Sequence, residues 1–290
     1  MAATLFLAAM ACAHPGSGIF VDAQGRVYFG DTGAGVWRLD AQGQLSLFHR
    51  RAYHWMAFDQ KGAFAQAALG EWDNGSFERV TPPGAIPALI LSSDYPVAVG
   101  HDGGIYYVPF RETGQREMIR RAPDGGRNVF AVLPADHSPK PMRWINGIAV
   151  APDGTLFVSD NDAIYTIGRN GAVSTFRQSI QAPDCAVPLP DAPKLPYLRG
   201  LAVARDGTVY AAANGCRTVI AIPPQGPVRT VLKAEDPWSP TGLALDGGAI
   251  YVLEYLHTPG DDRREWTPRV RRVAADGTVT TLATVRRDGN

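Results

Sequence analysis

Asn146-Gly147-Ile148-Ala149-Val150-Ala151-Pro152-Asp153-Gly154-Thr155-Leu156-Phe157-Val158 is one phrase of this chain: apolar strand, Asp-Gly turn, second apolar strand. Asp-Gly supplies the positive φ that a two-residue hairpin requires. The phrase returns as Gly18-Ile19-Phe20-Val21 before Gly25 and Val27-Tyr28-Phe29, and as Arg199-Gly200-Leu201-Ala202-Val203 before Asp206-Gly207 and Val209-Tyr210. It returns again as Thr241-Gly242-Leu243-Ala244-Leu245 before Gly247-Gly248 and Ile250-Tyr251-Val252. Two weaker copies keep the register: Trp55-Met56-Ala57-Phe58 before Lys61-Gly62, and Val97-Ala98-Val99 before Asp102-Gly103. Self-similarity at a fixed period outranks other signals, because it sets the whole architecture.

Aligned on the first strand, the copies open at Ser17, His54, Tyr95, Asn146, Arg199 and Thr241, spaced 37, 41, 51, 53 and 42 residues apart. Four antiparallel strands with short turns take roughly 40 residues, so each interval holds one propeller blade. The fourth copy shows the cycle, with strands at 147–150, 156–159, 163–167 and 173–176 and Asn170-Gly171 in the last turn. The reading is all-β: a six-bladed β-propeller with four antiparallel strands per blade and almost no helix. Strands at 270–274 and 279–282 complete the last blade. Ring closure then rests on blade 1 packing against blade 6, not on a blade shared by both ends of the chain.

Of 290 residues 45% are hydrophobic and 19% charged, ample for one large packed domain. The 28 basic and 28 acidic residues cancel, which argues against nucleic acid or an anionic membrane as the main partner. No stretch approaches the roughly 20 continuous apolar residues of a membrane span. An apolar run from Ala2 to Met10, then Ala11-Cys12-Ala13, reads as an export signal with an A-x-A cleavage site, although no Lys or Arg precedes Arg26. The alternative is an N-terminal strand covering a propeller edge. The signal reading divides the chain into residues 1–13 and a periplasmic or secreted propeller domain, 14–290. It also leaves Cys185 and Cys216 as an even pair suited to an oxidising compartment.

Strand direction decides which residues share a site. Inner and second strands run antiparallel, so the start of one and the end of the other lie on the same face. That face gathers the six opening residues together with Asp31, Asp160, Asn214 and Glu254. The length irregularities fall there too: 134–143, a Pro-rich 178–197 that holds Cys185, and 256–268 with His257 and Trp266. Long loops on a compact repeat usually carry function. Cys185 and Cys216 stand in neighbouring loops of this face, and a disulfide between them is expected.

The phrase Gly-Ile-Ala-Val-x-Pro-Asp-Gly-x-Leu-Phe-Val resembles NHL repeats and the related six-bladed propellers of the senescence marker protein, gluconolactonase and strictosidine synthase superfamily, over residues 16–285. The resemblance implies a metal-dependent lactonase or esterase, a lyase, or an interaction platform, and fold alone does not choose among them. In the lactonase-like relatives a divalent cation sits in the channel mouth, on a Glu from the first blade and on Asn and Asp residues opening later inner strands. Here Asn146 matches, Ser17 or Gly18 replaces the Glu, and Arg199 replaces an Asp. A guanidinium repels a cation, so that site is expected to be broken. A displaced ion such as calcium, on Asp31, Asp160 and Glu254 with Asn146, is the alternative. The related lyases use a His and a Glu near the mouth, which Leu253-Glu254-Tyr255 resembles.

Read from the residues, Arg199 in a narrow mouth polarises a carbonyl or holds a carboxylate. His54 or Glu254 moves protons. Asn146, Tyr95, Asp160, Asp31 and Thr241 orient the substrate. The competing assignment is structural: Arg199 neutralises Asp160 or Glu254, Asn146 and Asp160 cap backbone groups at blade junctions, and His54 is packing. Trp144, Trp238 and Trp266 either stack on a ligand ring or pack between blades. The chain has no Walker loop, His-Glu-x-x-His, Cys-x-x-Cys or Gly-x-Ser-x-Gly elbow. Two functions are left: an exported hydrolase or lyase acting on a small lactone or ester, or a non-catalytic scaffold that binds a protein or glycan.

Overall fold

The computed structural model describes residues 15–81, 88–110, 115–135, 145–185, 196–256 and 266–287. The leader at 1–13, Trp144, His257 and most of the 134–143 loop fall outside the described residues.

The quoted phrase folds as its turn chemistry dictates. Asp153 Oδ1 accepts the Thr155 amide at 2.9 Å, and Gly154 takes a φ of 87°. The strands on either side pair antiparallel, Gly147 opposite Ser159 and Val150 opposite Leu156. Ile164–Ile167 and Val173–Arg177 complete this blade. The same device recurs at Asp206 and Asp276, whose carboxylates accept the Thr208 and Thr278 amides at 2.9 Å. A side chain that satisfies its own turn makes each hairpin a local decision of the sequence.

Five sheets have four strands, and the second blade has three described strands. The six inner strands are Ile19–Val21, Trp55–Asp59, Val97–Val99, Gly147–Val150, Leu198–Val203 and Trp238–Asp246. Each neighbours the next, and the last returns to the first, which closes the propeller. Blade 2 is the irregular sector. Its inner strand pairs with Ala88–Ser92, which pairs in turn with Phe77–Val80, so the chain travels outward first and comes back between. Two 3-10 turns, Leu69–Glu71 and Asp73–Gly75, lie in that outward path.

The core lies between blades. Successive side chains of a strand point to opposite faces, so every blade buries both. Val209, Ala211 and Ala213 pack toward blade 4, whereas Ala212 joins Leu243, Ile250 and Val252 of blade 6. One apolar cluster fills each of the six seams. At the closing seam Ile19, Val21 and Phe29 meet Leu253, Tyr255, Trp266 and Val270. Tyr255 donates to Gly30 O at 2.6 Å and Thr241 Oγ1 to Gly16 O at 2.7 Å, fixing blade 6 on blade 1 without a shared sheet.

Candidate functional site

Inner strands converge so tightly that the second residue of most is glycine. A Cβ on Gly147 would stand 2.6 Å from Arg199 O, and one on Gly242 would stand 2.2 Å from Ser17 O. No side chain fits there, so the residue before each glycine supplies the chemistry of the opening. The short contact also places Asn146 and Arg199 at the same end of the tunnel.

Ser17 and Asn146 line an axial cavity of about 120 Å³, with Trp55, Pro96, Gly200 and Leu243 from the other blades. Asn146 is 6% exposed and Ser17 8% exposed. Neither Asn146 Nδ2 nor Ser17 Oγ has a hydrogen-bond partner among the described residues. Buried polar groups left in that state are costly unless a water or ligand completes them.

The segment Pro15 to Ser17 ties three of the opening residues together. Ser17 N donates to His54 O at 2.7 Å, Thr241 Oγ1 donates to Gly16 O, and Arg199 Nη2 donates to Pro15 O at 2.6 Å. Arg199 is buried, its own carbonyl accepting from Ser159 Oγ at 2.8 Å. Burial pulls its guanidinium below the ordinary value, against the opposing influence of Tyr197 and Tyr255. His54 Nδ1 stands 2.6 Å from Ser93 O. A carbonyl can only accept, so Nδ1 carries a proton.

The carboxylates named from the sequence sit in the seams. Glu254 is fully buried and accepts from Arg269 Nε and Arg271 Nη2, both at 2.5 Å. Arg269 also bonds Glu235 at 2.5 Å and lies over the Trp238 ring at 4.2 Å. Asp160 pairs with Arg116 of blade 3 at 2.7 Å and accepts the Asn161 amide. Asp31 accepts from Arg287 at 2.5 Å, from Trp37 Nε1 and from the Gly33 amide. Burial still pushes the Asp31 carboxyl up, with Arg287 opposing it. Tyr95 stacks on Tyr107 at 5.6 Å, and burial raises its hydroxyl. Asn214, at the equivalent place in blade 5, bonds Ser239 and Pro240 of blade 6. Trp266 is buried in the closing seam.

The axial cavity is therefore lined by Ser17 and Asn146, with His54 and Arg199 tied to the Pro15–Ser17 segment beside it, while Glu254 and Asp160 sit in the seams. The proposed cation set of Asn146, Asp160 and Glu254 does not fit an ion, since each carboxylate is already neutralised by arginine. Among the described residues no group of three or more His, Cys, Asp or Glu is placed to hold a metal. Cys185 and Cys216 are joined by a disulfide that ties the 178–197 loop to blade 5. Sequence reasoning passed over Trp55 and Pro96 as lining residues, and over the arginine partners. The pair Arg269 and Arg271, two apart on one strand and therefore on one face, was the available signal.

Comparison with known proteins agrees with this architecture. Virginiamycin B lyase from Nocardia farcinica is 28% identical over 215 residues, 61% of this chain and 77% of the relative. Virginiamycin B lyase from Staphylococcus aureus superposes with a TM-score of 0.50 at 13% identity, over 91% of this chain and 83% of that one. Regucalcin from Agrobacterium tumefaciens, a calcium-binding protein, superposes with a TM-score of 0.56 at 16% identity, over 86% and 84%. The chain is a six-bladed β-propeller. These neighbours are consistent with the superfamily that its repeats resemble. No protein-family model matches the chain. Among the described residues no helix is long and apolar enough to cross a membrane.

Proposed function

We propose that this propeller is an exported enzyme of the lyase or hydrolase kind, acting on a small oxygen-rich substrate, a lactone or ester, at its axial opening. One observation supports the reading: Ser17 and Asn146 line the axial cavity, each with a buried polar atom that has no partner among the described residues, and the Pro15–Ser17 segment beside them bonds Arg199 and the His54 carbonyl. Asn146 and Ser17 hold the substrate carbonyl. Arg199 stabilises the negative charge that develops on it, in a site dry enough for the charge to count. In hydrolysis His54 Nε2 takes a proton from the water that attacks the carbonyl and returns it to the alkoxide as the acyl C–O bond breaks. In elimination it takes the proton next to the carbonyl, the bond from the adjacent carbon to its leaving oxygen breaks as the double bond forms, and the proton passes to that oxygen. Glu254 has no place in this scheme, because two arginines occupy it. The lyase among the relatives supports the eliminating branch.

A panel of lactones and esters tests the reading. Turnover is expected to fall roughly 100-fold or more in His54→Ala and by a similar factor in Arg199→Ala. Unchanged turnover in both folded variants would sink the assignment. A second reading, a scaffold that binds a protein or glycan, is favoured by the pairing of Asp31, Asp160 and Glu254 with arginines. A wild-type protein that turns over no member of the panel selects it.

A further inference from the structure

The axial tunnel has two halves. Met56, Val97 and Ile148 line both the small cavity at the candidate opening and a wider one on the face of the Asp-Gly turns. The wide half has a volume of about 590 Å³, within the range of small-molecule sites. Its wall is apolar and comes from the inner strands of blades 1 to 4, with Phe20, Phe58, Val99 and Val150 below the waist. Phe20 and Phe58, both lining it, stack on each other with ring centroids 3.8 Å apart. Both rings are half-buried, as are Met56, Ala57, Ile148, Ala149 and Val150 along the same wall.

The cavity is lined by one acid and one lysine, Asp59 and Lys61. Among the described residues, the Lys61 ammonium bonds only the neutral His101 carbonyl, at 3.1 Å. The acid beside it, Asp59, is fully buried, accepting the Ala63 and Phe64 amides with Arg79 at 3.8 Å. Asp102 is held by Arg120 and Tyr106. The acids near the rim are thus neutralised and the lysine is not.

We infer that the turn-face half of the tunnel is a second ligand site, for an amphipathic small anion: an aromatic or branched apolar body against Phe20 and Phe58, and a carboxylate or sulfonate on Lys61. An apolar body alone would leave the ammonium unpaired, and a cationic head would be repelled. The site stands apart from the proposed chemistry at the other end.

Anilinonaphthalene sulfonate, an apolar aromatic body with one anionic head, serves as the probe on the full chain. Fluorescence titration is expected to show one saturable site per chain. Lys61→Glu should weaken it about tenfold or more, as loss of a charge-assisted contact plus repulsion implies. Ala149→Phe, which fills the cavity, should abolish saturable binding. The uncharged analogue phenylnaphthylamine should bind at least about tenfold more weakly to wild type and be indifferent to Lys61→Glu. Equal affinity for both probes, equal affinity of wild type and Lys61→Glu, or no saturable binding would each overturn the inference. Should Ala149→Phe not fold, the Lys61 variant and the probe pair decide alone.

Discussion

Blades 1, 4, 5 and 6 place a glycine second in the inner strand, at Gly18, Gly147, Gly200 and Gly242, whereas blades 2 and 3 place Trp55 and Pro96 there. On the glycine side, a Cβ would come within 2.2 to 2.9 Å of the next blade's backbone at every one of these positions. Those seams are closed by backbone against backbone. On the other side, Trp55 and Pro96 line the axial cavity. The same sector carries the reordered strands of blade 2 and much of the wall of the wide turn-face cavity. The difference teaches that regular repetition builds the ring, while departures from it build the hollow.

The charged tie on fully buried Glu254 belongs to the glycine side, and the largest expected effect tests it. Glu254→Gln leaves Arg269 and Arg271 buried without their shared counter-charge, which costs about 3–5 kcal/mol. Urea unfolding should show that loss. A marginal change would mean that these arginines are paired well enough by Glu235. The next effect tests the seam itself. Gly242→Ala forces a methyl against Ser17 O, costing about 1–3 kcal/mol, while Gly70→Ala in blade 2, where nothing stands within 4 Å, changes stability by less than about 0.5 kcal/mol. Equal melting shifts for the two alanines would erase the contrast between sectors.

The smallest effect is a pH dependence. The hydrogen bond from Arg269 holds the Glu235 carboxyl down from 4.5 to about 2. A folded value below the unfolded one stabilises fully above the unfolded value and fades as pH falls from 4.5 toward 2. Glu235 is 59% exposed, so screening keeps the contribution under about 1 kcal/mol. Urea midpoints of wild type and Glu235→Gln should differ above that window and converge below it. Parallel curves throughout would leave Arg269 to Glu254 alone.

The blades were legible because each hairpin carries its own instructions, as Asp153 and Gly154 do within nine residues of the strands they join. The face that holds the opening was legible too, since strand direction alone puts Ser17, His54, Asn146 and Arg199 at one end. Blade 2 was not, because the pairing of Trp55–Asp59 with Ala88–Ser92 is a long-range choice that no local turn dictates. Glu254 was misleading for the same reason. Its place after a second strand follows from the repeat, but its arginine partners on the third strand follow from register.

What the sequence determined by itself is the sixfold repetition and the end of each strand that faces the opening, because turns and alternating side chains act over a few residues. Only the tertiary structure decided which polar groups stay available. Asp31, Asp160 and Glu254 meet arginines 256, 44 and 15 or 17 positions away. Asn146 and Ser17 meet none within the described residues. Burial makes that distinction, since a charge removed from water must find its partner wherever the folded ring brings one.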